Sequence, residues 1–141
     1  MESQERRNII LENYTNPQNK GLIDDKTYEF ADASNESCID EVHLMAKIEN
    51  NIIKDIRFDG ESCAICTSSA SIMIKLLLGK TVDEANNILD NVNKMIDEEE
   101  YDKDLLKEAN VFDDIFKQPS RKKCVLLPWN GIEKILEDQN D

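Results

Sequence analysis

The chain has 141 residues, enough to bury one hydrophobic core, and reads as one domain spanning 1–141. Its 30 acidic against 17 basic residues leave a net charge of -13, which repels phosphate backbones and anionic headgroups and sets nucleic acid and membrane aside as direct partners. No apolar run approaches the roughly 20 residues that cross a bilayer, and the N-terminal MESQERRNIILENY lacks the uninterrupted apolar core of a signal peptide, so the expected compartment is the cytoplasm.

In ESQERRNIILENYTNP, Ile9, Ile10, Leu11 and Tyr14 fall close to one helical face and Pro17 stops the helix, which predicts a short amphipathic cap. A loop rich in Asn, Asp, Gly and Ser follows, with a brief strand over Lys26 to Ala31. From Cys38 the pattern alternates at Val42, Leu44, Ala46 and Ile48, turns at Glu49 to Asn51, and alternates again at Ile52, Lys54, Ile56 and Phe58. That is an antiparallel hairpin with one buried face. From Thr67 the period becomes helical, with Ala70, Met73, Ile74, Leu77 and Leu78 on one side until Gly79. Thr81 with Glu84 forms a capping box that opens a second helix to about Ile96. The stretch from Asp97 to Lys117 reads as an acidic insertion with one or two short helical turns. Ser120 can cap a last helix running through Cys124 to about Leu136, with Trp129 and Leu126 in its core face and Pro128 able to bend it. The order of elements predicts an α+β domain: a small antiparallel sheet with helices packed on one face.

The four cysteines carry the functional reading, because in a reducing compartment thiols serve metals or sulfur chemistry more often than disulfides. Cys38 enters the first hairpin strand and Cys63 follows the second, so antiparallel pairing brings both to one edge of the sheet. Cys124 completes a cluster if the last helix packs over that edge, and Asp40 projects to the same side as Cys38. Three thiolates and a carboxylate suit tetrahedral zinc. Four cysteines buried as small hydrophobes is the competing reading. Cys66 makes Cys-Ala-Ile-Cys with Cys63, and three roles stay open for it: partner in a redox pair, thiolate ligand in place of Asp40, or packed neighbour. His43, the one histidine, alternates onto the exposed face of the hairpin.

The pieces NYTNPQNKG, Cys38-Ile39-Asp40, GESCAICTSSASIMIKLLLGKTVDEA and SRKKCVLLPW together resemble the U-type iron–sulfur cluster assembly proteins, related to the N-terminal domain of NifU and to IscU, over nearly the whole chain. The scaffold branch resembling IscU carries a histidine before the last cysteine and a Leu-Pro-Pro-Val-Lys chaperone motif. Here Lys123 precedes Cys124, that motif is absent, and the acidic insertion is present, which makes the chain similar to the SufU branch. The three-stranded sheet of that fold is implied. So are zinc on Cys38, Asp40, Cys63 and Cys124 and acceptance of persulfide sulfur from a pyridoxal-phosphate cysteine desulfurase, a SufS-like partner; Cys38, on the loop of the site, is the expected acceptor thiol. The alternative the resemblance implies is a scaffold on which the same thiolates build an iron–sulfur cluster for downstream assembly proteins. Ile39 stands where SufU-like proteins usually have a glycine, which admits positive φ where isoleucine resists it. Arg121, Lys122 and Lys123 flank Cys124, either balancing the site's negative charge or forming a solvated helix start.

Overall fold

A computed structural model describes residues 1–34 and 40–138. It contains α1 (Ser3–Thr15), β1 (Glu29–Ser34), β2 (Glu41–Glu49), β3 (Ile52–Asp59), α2 (Ala64–Leu77), α3 (Val82–Ile96), α4 (Lys103–Leu106), two 3-10 turns (Lys107–Phe112 and Ile115–Lys117) and α5 (Pro119–Asp138). Among the described residues the strands form one antiparallel sheet in the order β1-β2-β3. The brief first strand therefore exists, but over Glu29–Ser34, displaced toward β2 because its partners are Glu41 to Ala46.

Cross-strand pairs set the face that meets the helices. Ala33 lies opposite Val42, Leu44 opposite both Ala31 and Phe58, and Ala46 opposite Ile56. Val42, Leu44, Ala46, Ile56 and Phe58 are buried there. Asn50 and Asn51, with φ of 53° and 65°, turn the hairpin; asparagine tolerates that left-handed backbone better than most residues. The simple alternation fails in β3, because Lys47 pairs with Asp55 while Ile48 pairs with Ile53, so Lys54 bulges. The bulge inverts the phase, burying Ile53 and exposing Lys54. The outer face is also partly covered. The chain after α1 crosses it, Gly21 N–H donating to Phe58 O at 2.7 Å and Ile23 N–H to Met45 Sδ at 3.4 Å, which leaves Met45 fully buried.

α2 and α5 pack on the inner face. Gly131 allows α5 to approach β2, since a Cβ built there would stand 2.4 Å from Leu44 Cδ1. Trp129 Nε1 donates to Ser69 Oγ at 3.0 Å, and that hydroxyl donates to Val125 O at 2.6 Å. One serine thus ties α2 to two positions of α5. The buried hydroxyl of Ser69 is in this way partnered rather than orphaned.

α1 turns inward only part of the face its apolar residues suggest, Ile9 and Ile10 packing against the core. Leu11 and Tyr14 are exposed and Asn13 is buried. Asn13 Nδ2 donates to Ile9 O, its Oδ1 accepts from Ser71 Oγ at 2.8 Å, and Ser71 Oγ accepts from Gln18 N–H. Arg6, on the same inward side, donates to Val111 O at 3.0 Å and pairs with Asp113, tying α1 to the acidic insertion. The insertion contributes Leu106, Ala109, Val111 and Phe112 to the core through its short helical turns. The Thr81–Glu84 capping box is present. α5 begins at Pro119, so Ser120 lies inside its first turn; a proline at the first helical position loses no hydrogen bond, and Gln118 O receives the N–H groups of Arg121 and Lys122. Trp129 is buried and Leu126 half-buried, as the sequence suggests.

Candidate metal centre

Three elements converge at one edge of the sheet. Asp40 stands immediately before β2, Cys63 is the N-cap of α2, and Cys124 lies in the second turn of α5. Their ligand atoms all lie within 4.8 Å of one another, the one such cluster among the described residues. Cys38 and Ile39 lie outside the described residues.

The way β3 leaves the sheet positions Cys63. Glu41 N–H donates to Glu61 O at 2.8 Å, extending the β2–β3 contact one step past the strands. Gly60 makes this close approach possible: its φ is +135°, and a Cβ there would stand 2.1 Å from Glu41 O. The hydroxyls of Ser62 and Thr67 meet at 2.7 Å and Thr67 N–H donates to Cys63 O, so the turn into α2 is bonded at both ends. Gly60, Ser62 and Thr67 fall within the GESCAICT stretch that carries the resemblance, but nothing in that stretch singles them out as the residues that position Cys63.

Asp40 is buried, with 4% exposure, and its carboxylate is divided between two tasks. Oδ1 accepts the backbone N–H of Cys63 at 2.8 Å, and Oδ2 lies 3.5 Å from Cys63 Sγ. Cys63 is half-buried, its Sγ also accepting Cys66 N–H at 3.4 Å. Cys124 is buried, its thiol 3.6 Å from Ser120 O, one turn back in α5. Two thiolates at about 2.3 Å from one zinc stand about 3.8 Å apart, so the present spread needs only about an ångström of contraction. Two sulfurs and a carboxylate oxygen with little solvent access fit a borderline-soft divalent ion. The first-turn N–H groups of α2 point toward Cys63, which caps that helix.

The remaining sequence candidates fall outside the cluster. Cys66 is fully buried beside Cys63, in the place of a packed neighbour. His43 lies on the outer face, Nδ1 2.6 Å from Asp32 Oδ1 and Nε2 3.4 Å from Glu41 Oε1. Hydrogen bonding to Asp32 raises its pKa above the ordinary value, with the charges of Asp32, Glu41 and Asp59 in support against partial burial. Arg121 and Lys123 are exposed and Lys122 half-buried, as at a solvated helix start. No helix among the described residues is long and apolar enough to cross a membrane.

Comparison with known proteins agrees with this architecture. The zinc-dependent sulfurtransferase SufU of Bacillus subtilis is 33% identical over 129 residues, 91% of this chain and 86% of that protein. The iron–sulfur cluster assembly scaffold protein IscU of Thermotoga maritima is 33% identical over 128 residues, 91% of this chain and 89% of that one. A crystal structure from Fervidobacterium islandicum AW-1, of a protein described as an iron–sulfur cluster assembly scaffold for the SUF system, superposes with a TM-score of 0.86 at 32% identity, covering 96% of this chain and 99% of that one. Residues 5–125 match the NifU-like N-terminal domain, and the chain belongs to that family.

Proposed function

We propose that this chain is a zinc-dependent sulfur acceptor, a sulfurtransferase-like accessory protein that takes persulfide sulfur from a pyridoxal-phosphate cysteine desulfurase for iron–sulfur cluster assembly. The observation that carries the reading is the close set of Asp40, Cys63 and Cys124, three donor atoms from three elements. It is supported by the likeness to a protein named a zinc-dependent sulfurtransferase. Cys38, two positions before Asp40 in the chain, is assigned as the fourth ligand and as the thiol that receives sulfur. Zinc held by these four residues keeps their thiols ionised and shielded from oxidation.

The transfer itself is thiol exchange on the protein's own cysteines. The Cys38 thiolate attacks the outer sulfur of the desulfurase persulfide, the donor's S–S bond breaks, and the donor cysteine leaves as a thiolate. Sulfur and charge are conserved, and no oxidant is consumed. Asp40 is suited to hold Cys63 in place during this step, because its Oδ1 is bonded to the backbone rather than to the reacting sulfur.

The equal identity to an IscU scaffold makes cluster assembly on these thiolates the competing reading, and Lys123 in place of the scaffold branch's histidine weighs against it. The test is the metal content of protein purified without added metal, paired with desulfurase activity after mixing. Near-stoichiometric zinc with a stimulated desulfurase supports the acceptor. Iron with acid-labile sulfide and little stimulation supports the scaffold. A Cys38→Ser variant that accepted labelled sulfur at the wild-type rate would remove Cys38 from its assigned role.

A further inference from the structure

Cys66 is a buried nucleophile that the acceptor reading leaves unused. Its backbone N–H donates to Cys63 Sγ at 3.4 Å, so the N-cap sulfur is folded over the first turn of α2 and faces the third residue of that turn. Helical Cα–Cβ bonds tilt toward the N-terminus, which directs the Cys66 side chain back at its own N-cap. Residues three apart on a helix have Cβ atoms about 5–6 Å apart, and a disulfide needs about 3.5–4.5 Å. Cys63 is not helical, with φ -70° and ψ 170°, and its Sγ already lies over the first turn, so pairing with Cys66 requires rotation of the two side chains within this turn. What makes a Cys-x-x-Cys a working dithiol is a helix N-terminus, and this fold provides one without a parallel sheet.

The chemistry of the proposed function leaves a need for such a pair. Sulfur arrives as sulfane sulfur, formally zero-valent, whereas a metal–sulfur cluster contains sulfide; two electrons separate them. We propose that Cys66 is a resolving thiol that discharges sulfane sulfur carried on Cys63 as sulfide. The inference rests on the acceptor reading, and sulfur on Cys38 first passes to Cys63 by attack of the Cys63 thiolate on its outer atom, Cys38 leaving as a thiolate. Cys66 then attacks Cys63 Sγ. The Sγ–S bond of the persulfide breaks, a Cys63–Cys66 disulfide forms, and the outer sulfur leaves with the electron pair and the Cys66 proton as hydrosulfide. The outer sulfur is reduced by two electrons and the dithiol is oxidised by two. A dithiol reductant of the thioredoxin class resets the pair for another round.

The test is a single turnover on the full, zinc-loaded chain. Desulfurase charged with persulfide and freed of cysteine by gel filtration is mixed with it, with no added thiol. Released sulfide, intact mass and a disulfide map are then read. The wild-type chain is expected to release sulfide, lose the mass of two hydrogens and yield a Cys63–Cys66 cross-linked peptide. Cys66→Ser and Cys66→Ala, both checked for unchanged zinc content and circular dichroism, should instead hold the added sulfur and release at least about tenfold less sulfide. Retention of the added sulfur by the wild-type chain, equal sulfide from the variants, or a disulfide mapped to other cysteines overturns the inference while leaving the acceptor reading standing. Absence of sulfur uptake by wild type and variants alike overturns both.

Discussion

The backbone N–H of Cys63 and its thiol both address Asp40, one at 2.8 Å from Oδ1 and the other at 3.5 Å from Oδ2. A single buried carboxylate therefore fixes the entry into α2 with one oxygen and presents the other to sulfur. The two roles separate by substitution. Asp40→Asn keeps an acceptor for the N–H but loses the charge, and zinc affinity should fall by at least about tenfold with little loss of stability. Asp40→Ala also orphans the N–H and should cost about 1–3 kcal/mol in addition. Competition with a chromophoric chelator and urea unfolding read the two effects, and an Asn variant with wild-type zinc affinity would exclude Asp40 as a ligand.

Gly60→Ala should be among the more damaging single-methyl additions in the chain. The new Cβ meets the Glu41 carbonyl oxygen at 2.1 Å, and φ of +135° is a backbone that L side chains rarely adopt. Relief requires the β3–α2 turn to move away from β2, so stability should drop by about 1–3 kcal/mol. Zinc affinity should fall with it, because the turn carries Cys63. A variant that melts normally and binds normally would show that the turn does not position the thiol.

The contact of α5 with the sheet predicts a pair of compensating changes. Gly131→Ala drives a methyl toward Leu44 Cδ1, 2.4 Å away in a fully buried site, and should cost about 1–3 kcal/mol. Leu44→Val removes the clashing carbon at a cost of its own. The double variant should be more stable than the sum of the two single changes allows, and a double-mutant cycle in urea measures that difference. Strict additivity would mean that the helix adjusts elsewhere.

His43 should titrate above 6.5, its ordinary value, since the hydrogen bond to Asp32 favours the imidazolium. The sign follows from linkage. A pKa raised by folding means that protonation favours the folded chain. The contribution is therefore complete below the unfolded pKa and is lost as pH rises through the folded one. An NMR titration of the ring should give the raised midpoint, and Asp32→Asn should bring it down. The metal cluster is not involved, so zinc content should not follow this titration.

Zinc removal should destabilise the chain, because an ion bound only by the folded state adds its binding free energy to folding. Chelation at neutral pH is expected to lower the melting temperature, and zinc at stoichiometric amounts to restore it. An unchanged melting temperature in protein shown to have held zinc would mean that the three elements are equally well fixed without it.

Local signals carried much of the architecture. The hairpin turn, the capping box at Thr81 and the end of α2 near Gly79 each depend on residues close in sequence, and each was legible there. Antiparallel pairing of two adjacent strands also accounts for the sheet edge at which Cys63 meets Asp40, while Cys38, the residue that pairing pointed to, lies outside the described residues. What stayed hidden depends on distant partners. Asn13 is buried because Ser71 receives it, so a polar residue took the place that Leu11 and Tyr14 seemed to claim. Met45 is covered by a loop rather than a helix, and Lys54 bulges where the alternation promised a regular strand. Gly60 shapes the site only through the contact with β2, which no spacing rule announces.

The helix that carries Cys124 is held to the body of the protein by Gly131 against Leu44 and by Trp129 and Val125 on Ser69. Asp40 and Cys124 are separated by more than half of the chain, and during synthesis the cysteine emerges last. Until the C-terminal helix docks, the sheet edge offers an incomplete set of donors. Any ion that requires Asp40, Cys63 and Cys124 together can settle only after the fold has closed. Once there, it joins the beginning and the end of the chain's core as a cross-link and removes the loop entropy that unfolding would otherwise regain. Occupancy of the centre thus becomes a record of completed folding.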